Sequence, residues 1–316
     1  MHGTKMPEVT SDTYLGDIIS GDGFNKLNIE NRVSRGQGKI AQILSMIDKI
    51  SLGKHYFKIA LLLRESIFLS SVLNNSEIWY RLTKNDLEEL EVLDRSLLKR
   101  IFSAPNSTPT AALYLETGTM TIGTIIKARR LNFLQYLVKL PKEEILSRFF
   151  HCQWLESNQH DWTNQVRKMD LTVDLEEIEK KSIFSWKNLV KKKAKELELS
   201  KLFNMKVSKS RSKMKNLNYD KLHLQDYLIN LDVRLAKNVF RYRTRMIQFD
   251  GNFNGQEPVN VCPLCGLHSD HQHLSFQCPV VVGKIVIEED YENIFGDKVS
   301  LKLAKTLQQI TKLRQK

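Results

Sequence analysis

Apolar residues recur with a helical period along most of the chain. Between Asn28 and Ile50 they fall at Ile40, Ile43, Leu44 and Ile47, three or four residues apart, which places them on one face of a helix. The following stretch, 54–73, is apolar on nearly every side. This pattern predicts an amphipathic helix followed by a central, buried one.

A third helix has clear signals at both ends. Thr83 and Asp86 form the T-x-x-D pattern of a helix N-terminus, and leucine and isoleucine residues from Leu87 to Ile101 then form one stripe. Pro105 and Pro109 end this pattern. We therefore predict that the helix begins at Thr83.

The remaining elements are also mostly helical. Further helices are predicted at 121–140, where Pro141 stops the pattern, at 231–246 and at 299–313. One β-hairpin is predicted between Thr13 and Gly23, where a β-favouring run meets a Gly-Asp-Gly turn signal. The predicted fold class is mainly α, with a short N-terminal β-hairpin and a small C-terminal zinc knuckle.

Positive charge is concentrated in the second half of the chain. The 316 residues carry 48 Lys and Arg against 36 Asp and Glu, which gives a net charge of +12 and a sequence pI near 9.4. Between Lys187 and Lys215, ten lysines and one arginine stand against two glutamates, and a second basic cluster falls on the predicted helix 231–246. A run of charged residues is often only the solvent-exposed face of a helix. An excess of positive charge that recurs in a second helix, however, favours contact with a polyanion. The predicted nucleic-acid-binding residues are Lys191, Lys192, Lys193, Lys195, Arg241, Arg243 and Arg245.

Three of the four cysteines lie within seventeen residues near the C-terminus. The pattern is Cys262-x2-Cys265-x7-His273-x4-Cys278, and Gly266 can adopt the positive φ that the turn after a C-x2-C pair requires. Three thiolates and one imidazole would complete a tetrahedron, so we predict a structural Zn²⁺ site with no open position for catalysis. His268 and His271 are alternative fourth ligands, and three buried thiols without metal are the alternative to a zinc site.

Other classes of protein find little support in the sequence. The apolar stretch 59–73 contains Arg64 and Glu65 and is shorter than the roughly 18 residues of a membrane span. The first eleven residues have no apolar core of a secretory signal, so we expect an intracellular protein, nuclear or cytoplasmic. There is no H-E-x-x-H motif and no adjacent pair of aspartates, and the sequence therefore predicts neither a zinc hydrolase, nor a two-metal polymerase, nor a small-molecule substrate.

Several short motifs follow one another in a recognisable order. They are Tyr14-Leu15-Gly16 with Asp22-Gly23, Leu63-Arg64-Glu65-Ser66, the stretch from Asn75 to Thr83, Leu113 to Gly118 (LYLETG) and Arg129-Arg130, followed by the Cys/His cluster. This set, over about 14–278, resembles the part of a non-LTR (LINE-type) retrotransposon polyprotein that lies downstream of the reverse-transcriptase palm. The resemblance implies a helical thumb-like region and a terminal zinc knuckle that assists nucleic-acid binding.

The resemblance also implies what this chain lacks. In that family the catalytic aspartates precede the YLG motif, and only thirteen residues precede Tyr14 here. We therefore expect no fingers, palm or endonuclease domain and no polymerase activity.

The sequence predicts five segments in linear order. They are a hairpin remnant at 1–25, a thumb-like helical region at 26–140, a basic helical region at 141–249, the zinc knuckle at 250–287 and a helical tail at 288–316. The predicted function is non-catalytic binding of RNA or DNA. The alternative is a helical protein-interaction adaptor with a structural zinc knuckle.

Overall fold

The computed structural model is mainly helical, as the sequence predicts. It describes residues 9–49, 53–79, 82–156, 161–169, 174–208, 217, 219–249, 254, 259–296 and 298–315. An antiparallel hairpin lies near the N-terminus and a Cys/His cluster near the C-terminus. No helix in the described part of the chain is both long and apolar enough to cross a membrane.

The regular elements run in the following order. The strands are β1 Ser11–Tyr14 and β2 Asp17–Ser20. The helices are α1 Lys26–Lys49, α2 Tyr56–Leu63, α3 Ser70–Val72, α4 Lys84–Phe102, α5 Thr110–Thr117, α6 Ile122–Val138, α7 Ile145–Glu156, α8 Trp162–Arg167, α9 Leu175–Lys180, α10 Ile183–Ser208, α11 Asp226–Asn230, α12 Val233–Arg243, α13 Pro279–Val282 and α14 Leu301–Arg314. A π-helical turn, Arg64–Leu69, joins α2 to α3, and a second, His273–Gln277, precedes α13. Two short 3₁₀ segments lie at Gly53–His55 and Tyr291–Ile294.

The predicted helix start at Thr83 is confirmed in atomic detail. The Thr83 amide donates to a carboxylate oxygen of Asp86 at 2.9 Å, and the Asp86 amide donates to the Thr83 hydroxyl at 3.1 Å. This reciprocal pair satisfies amides that the first turn of α4 leaves without helical partners. The short buried helix α5, between Pro109 and Gly118, was not predicted from the sequence.

The hairpin lies where it was predicted, but its turn differs. β1 pairs with β2 in the register Ser11↔Ser20 to Tyr14↔Asp17. The two turn residues are Leu15 and Gly16, with φ of 49° and 87°, rather than the Gly-Asp-Gly segment. Two successive residues with positive φ match the twist of the strands, so a two-residue loop closes this hairpin.

Asp17, the first residue of β2, attaches the hairpin to neighbouring helical segments. Its carboxylate accepts hydrogen bonds from Arg32 at 2.5 Å, Asn28 at 3.0 Å, Asn75 at 2.6 Å and Trp79 at 3.4 Å. Although burial acts to raise it, the hydrogen bonds from Arg32, Asn75 and Asn28 hold the pKa of Asp17 below its usual range. The carboxylate therefore stays ionised opposite a buried guanidinium.

Contacts group the chain into two compact units, each assembled from three separate stretches. Unit 1 comprises Met1–Ala41, Glu65–Asp94 and Met120–Leu197, and unit 2 comprises Gln42–Arg64, Arg95–Thr119 and Glu198–Lys316. This division does not contain the segment boundaries predicted at 26, 141, 250 and 288.

Each unit has its own core. In unit 1, leucines of α6 pack with Trp186 and Val190 of α10, and the Trp186 indole donates to the Leu131 carbonyl at 3.2 Å. In unit 2, Phe102 of α4 stacks on Phe240 of α12 with ring centroids 4.2 Å apart. These contacts fix the faces of α10 and α12, and with them the direction in which their basic side chains point.

Candidate metal centre and basic surface

A tight turn brings Cys262 and Cys265 together. Val261 and His268 form an isolated antiparallel bridge, and the Cys262 amide donates to the Leu267 carbonyl at 2.8 Å. The Gly266 amide donates back to the Cys262 carbonyl, and Gly266 has φ of 75°, as the sequence predicts. This left-handed conformation favours glycine because a side chain would be strained there.

The other two cluster residues lie on a helical segment. The Asp270 carboxylate accepts from the His273 amide at 2.7 Å and so fixes the start of the π-helical turn. At the end of this turn the Cys278 amide donates to the His273 carbonyl at 3.0 Å, and Cys278 then precedes α13. The two side chains therefore meet the C-x2-C turn from one short segment.

The four side chains have the spacing of a metal site. One ligand atom from each of Cys262, Cys265, His273 and Cys278 lies within 4.8 Å of all the others. The Sγ atoms of Cys262 and Cys278 are 3.7 Å apart, and Sγ of Cys265 is 3.3 Å from Nε2 of His273. A tetrahedron with Zn–S of about 2.3 Å and Zn–N of about 2.0 to 2.1 Å has edges of about 3.8 Å and about 3.5 Å. The cysteines form no disulfide, so the cluster has the donors and the size to hold a metal ion.

The structure selects His273 among the three candidate histidines. His268 is exposed, outside the cluster. His271 is buried, and its Nδ1 lies 2.6 Å from the Tyr291 hydroxyl. Burial lowers the pKa of His271 to about 3, so this ring stays neutral as part of the core.

Arg314 of α14 supplies a positive charge beside the cluster. Its guanidinium donates to Sγ of Cys262 at 3.5 Å and lies over the ring of Phe249. Although burial acts to raise it, hydrogen bonds from Arg314 and from the amides of Cys265 and Leu264 lower the pKa of Cys262 to about 5. This thiol is therefore a thiolate at neutral pH, the form that binds metal.

The cluster is also part of a hydrophobic core. Cys262 and Cys278 are buried with Leu274, Val281 and Ile310 of α14. The predicted knuckle and the predicted tail thus share one core. The segment 250–258 lies outside the described residues except for Asn254.

The lysines of α10 form the most exposed part of the predicted nucleic-acid surface. Trp186, Val190 and Ala194 bury one face of the helix, while Lys191 and Lys192 are exposed and Lys193 and Lys195 are half-buried. Lys192 lies 4.0 Å from Glu196, and the other glutamate of this helix, Glu198, is buried. The predicted basic stretch continues into 209–215, which lies outside the described residues.

The prediction that Arg243 contacts nucleic acid is wrong. Its side chain is only 1% exposed, and its Nε donates to the Glu116 carboxylate at 2.8 Å. Its Nη1 donates to the carbonyls of Ile294 and Gly296 at 2.7 and 2.9 Å. Although burial acts to lower it, the Glu116 carboxylate raises the pKa of Arg243, which remains a cation inside the protein. A guanidinium with these partners has no access to phosphate.

The other two arginines of this group are half-buried. Arg241 donates to the Ser103 carbonyl at 3.1 Å, and Arg245 hydrogen-bonds Tyr291. Both belong to unit 2, whereas the four predicted lysines belong to unit 1. Their contact with nucleic acid stays a prediction.

Several residues of the recognised motifs have structural partners. Asp17, which follows the YLG motif, binds Asn75 and Trp79 of a second motif. Arg129 and Arg130 donate to the carbonyls of Leu73 and Trp79. Within unit 1, these side chains therefore tie turns and helices together.

Comparison of the chain with known protein families, with curated proteins and with solved structures finds no match in any of the three sets.

Proposed function

We propose that this protein is a non-catalytic nucleic-acid-binding protein that contacts phosphates through the lysine face of α10. The observation that carries the proposal is the fixed direction of this face. Because Trp186 and Val190 are held in the core of unit 1, Lys187 and Lys191 must point to solvent, and both are exposed. Among the described residues neither forms an ion pair, so their charge is available to a polyanion.

We further propose that the Cys/His cluster holds Zn²⁺ in a structural role. Three thiolates and one imidazole in a tetrahedral arrangement are the ligand set that zinc prefers. Four protein ligands complete the coordination and leave no position for a reacting water. The site would then join the C-x2-C turn to the core around α14.

The order of the sequence motifs supports the proposal that the chain derives from a non-LTR retrotransposon protein, downstream of the reverse-transcriptase palm. On this proposal the helices correspond to the thumb and the region that follows it. The protein would bind RNA or DNA without polymerising it.

A salt titration tests the proposed interface. If Lys187, Lys191, Lys192, Lys193 and Lys195 all contact phosphates of a single strand, the slope of log K against log salt is roughly −3.5. Replacing the middle three lysines by glutamine leaves two contacts and a slope of roughly −1.4. Fluorescence anisotropy of a labelled single-stranded oligonucleotide measures both slopes.

Three other exposed lysines of unit 1 provide a matched control. Lys26, Lys142 and Lys168 lie outside α10, and their replacement by glutamine changes the net charge by the same amount. We expect the slope of this variant to equal that of the parent. An equal loss in both variants would show that only net charge matters, which contradicts a defined interface.

The second candidate function is a helical protein-interaction adaptor. It is favoured by α7, where Ile145, Phe149 and Leu155 are 86%, 58% and 82% exposed. Exposed apolar side chains on one short helix can mark a contact site for another protein. A parent protein whose binding to single strands has a salt slope near zero would favour this function over the first.

A further inference from the structure

A cavity in unit 1 is lined by aromatic, amide and charged side chains. Its volume is about 640 Å³, within the range of about 300–1,000 Å³ for small-molecule sites. One wall is a stripe of α6 formed by Arg129, Asn132, Phe133 and Tyr136, spaced three or four residues apart. Lys187 of α10 also lines the cavity.

The aromatic residues of this wall, Phe133 and Tyr136, stack on each other and form a surface for a planar ligand. The rings of Phe133 and Tyr136 are nearly parallel, with centroids 5.8 Å apart and an interplanar angle of 22°. Phe133 is held by an edge contact with Trp162, whose indole donates to the Glu77 carbonyl at 2.7 Å. Tyr136 is 53% exposed, so a planar ligand can reach its ring.

Polar and charged groups surround this platform. The side-chain oxygen of Asn132 is buried without a hydrogen-bond partner among the described residues. Glu77 and Arg129 both line the cavity and attract each other, which leaves Lys139 and Lys187 as cations without ion pairs in the described structure. A ligand that satisfies these groups is planar, has a hydrogen-bond donor and carries negative charge beside it.

We propose that this cavity receives one unpaired base of a single-stranded nucleic acid. The base stacks on Tyr136, a donor on its edge satisfies Asn132, and the adjoining phosphates lie near Lys139 and Lys187. A base within a duplex is paired and stacked on both faces, so the site selects single strands. This inference rests on the proposed function, because Lys187 is one helical turn before Lys191 and connects the cavity with the lysine face of α10.

The test compares a normal single-stranded oligonucleotide with an abasic strand that keeps every phosphate. Base stacking on an aromatic side chain contributes about 1–3 kcal/mol, so Tyr136→Ala should raise Kd for the normal strand about 5- to 150-fold. It should leave Kd for the abasic strand unchanged. Tyr136→Phe should restore most of the affinity for the normal strand, since it keeps the ring.

Tyr14→Ala is the matched control, because Tyr14 is 66% exposed in the hairpin of the same unit. Its Kd should equal that of the parent. Equal weakening of both strands by Tyr136→Ala, or no weakening of either, overturns the base site. A free nucleoside monophosphate that binds as tightly as the strand overturns it as well.

The salt titration separates this inference from the proposed function. If the parent binds with the full salt slope and Tyr136→Ala does not change Kd, the base site in the cavity alone is refuted. A parent without salt-dependent binding refutes the lysine surface and the cavity together.

Discussion

Substitutions of Glu116 and Arg243 should have non-additive effects on the free energy of unfolding. Both side chains are buried, at 0% and 1% exposure, and a hydrogen bond of 2.8 Å joins them. Tyr219 donates to the same carboxylate oxygen at 2.5 Å, and burial together with the Glu116 charge raises the pKa of that phenol well above its usual range. Substitution of either charged residue therefore leaves several buried groups without partners.

The expected magnitude follows from the desolvation of the remaining charge. Glu116→Gln removes the counter-charge of a guanidinium that cannot reach water, and loss of one partner of a buried pair costs about 3–5 kcal/mol. Arg243→Met should cost a similar amount, because the Glu116 charge and two backbone carbonyls lose their donor. The double variant removes both charges, so its cost should fall below the sum of the two by about 2 kcal/mol or more.

Urea unfolding followed by far-UV circular dichroism measures these free energies. Since domains are stable by only about 5–15 kcal/mol, each single substitution should move the midpoint clearly. Arg243→Met, studied below its transition, should keep the salt slope of the parent because Arg243 does not touch nucleic acid. Single effects below about 1 kcal/mol, or fully additive effects, would refute the reasoning.

Three further predictions concern the hairpin, the metal centre and pH. Asp17→Asn should destabilise the protein by about 2–4 kcal/mol in urea unfolding, because it leaves the buried Arg32 without its counter-charge; an effect near zero would contradict the role of Asp17. The parent should contain one equivalent of zinc by inductively coupled plasma mass spectrometry, Cys265→Ser should contain none, and Cys152→Ser, at an exposed cysteine outside the cluster, should match the parent; zinc retained by Cys265→Ser would contradict the site. The pKa of His271 is lowered from 6.5 to about 3, so only the unfolded state binds its proton between these values and stability falls as pH drops below about 6.5. His271→Gln should flatten that pH dependence, and an unchanged slope in urea midpoints between pH 6.5 and 4 would contradict it.

Local signals made much of this fold predictable. The Thr83 and Asp86 pair encodes its helix start within four residues, and the C-x2-C turn with Gly266 encodes half of the Cys/His cluster. Both features depend only on residues that are close in sequence, so they can be predicted without knowledge of the tertiary structure. The choice of His273 over His271 required the structure, because it depends on the packing of Tyr291.

Long-range partners explain the error at Arg243. Glu116 lies 127 residues earlier in the chain, and charge counting cannot detect that pair. One local signal was present, since Leu235, Val239 and Arg243 are four residues apart and all lie on the buried stripe of α12. Helical spacing therefore predicts that Arg243 lies on the buried face of α12, whereas Arg241, two residues earlier, lies on a different face.

Lysine reactivity tests the central claim most directly. Acetylation of the folded protein, quantified by mass spectrometry with and without a single-stranded oligonucleotide, reports which ammonium groups are covered. We predict that the strand protects Lys187, Lys191 and Lys192, while Lys26, Lys142 and Lys168 react as fast as before. Equal reactivity of all six lysines under saturating strand, or protection confined to the control lysines, would contradict binding through α10.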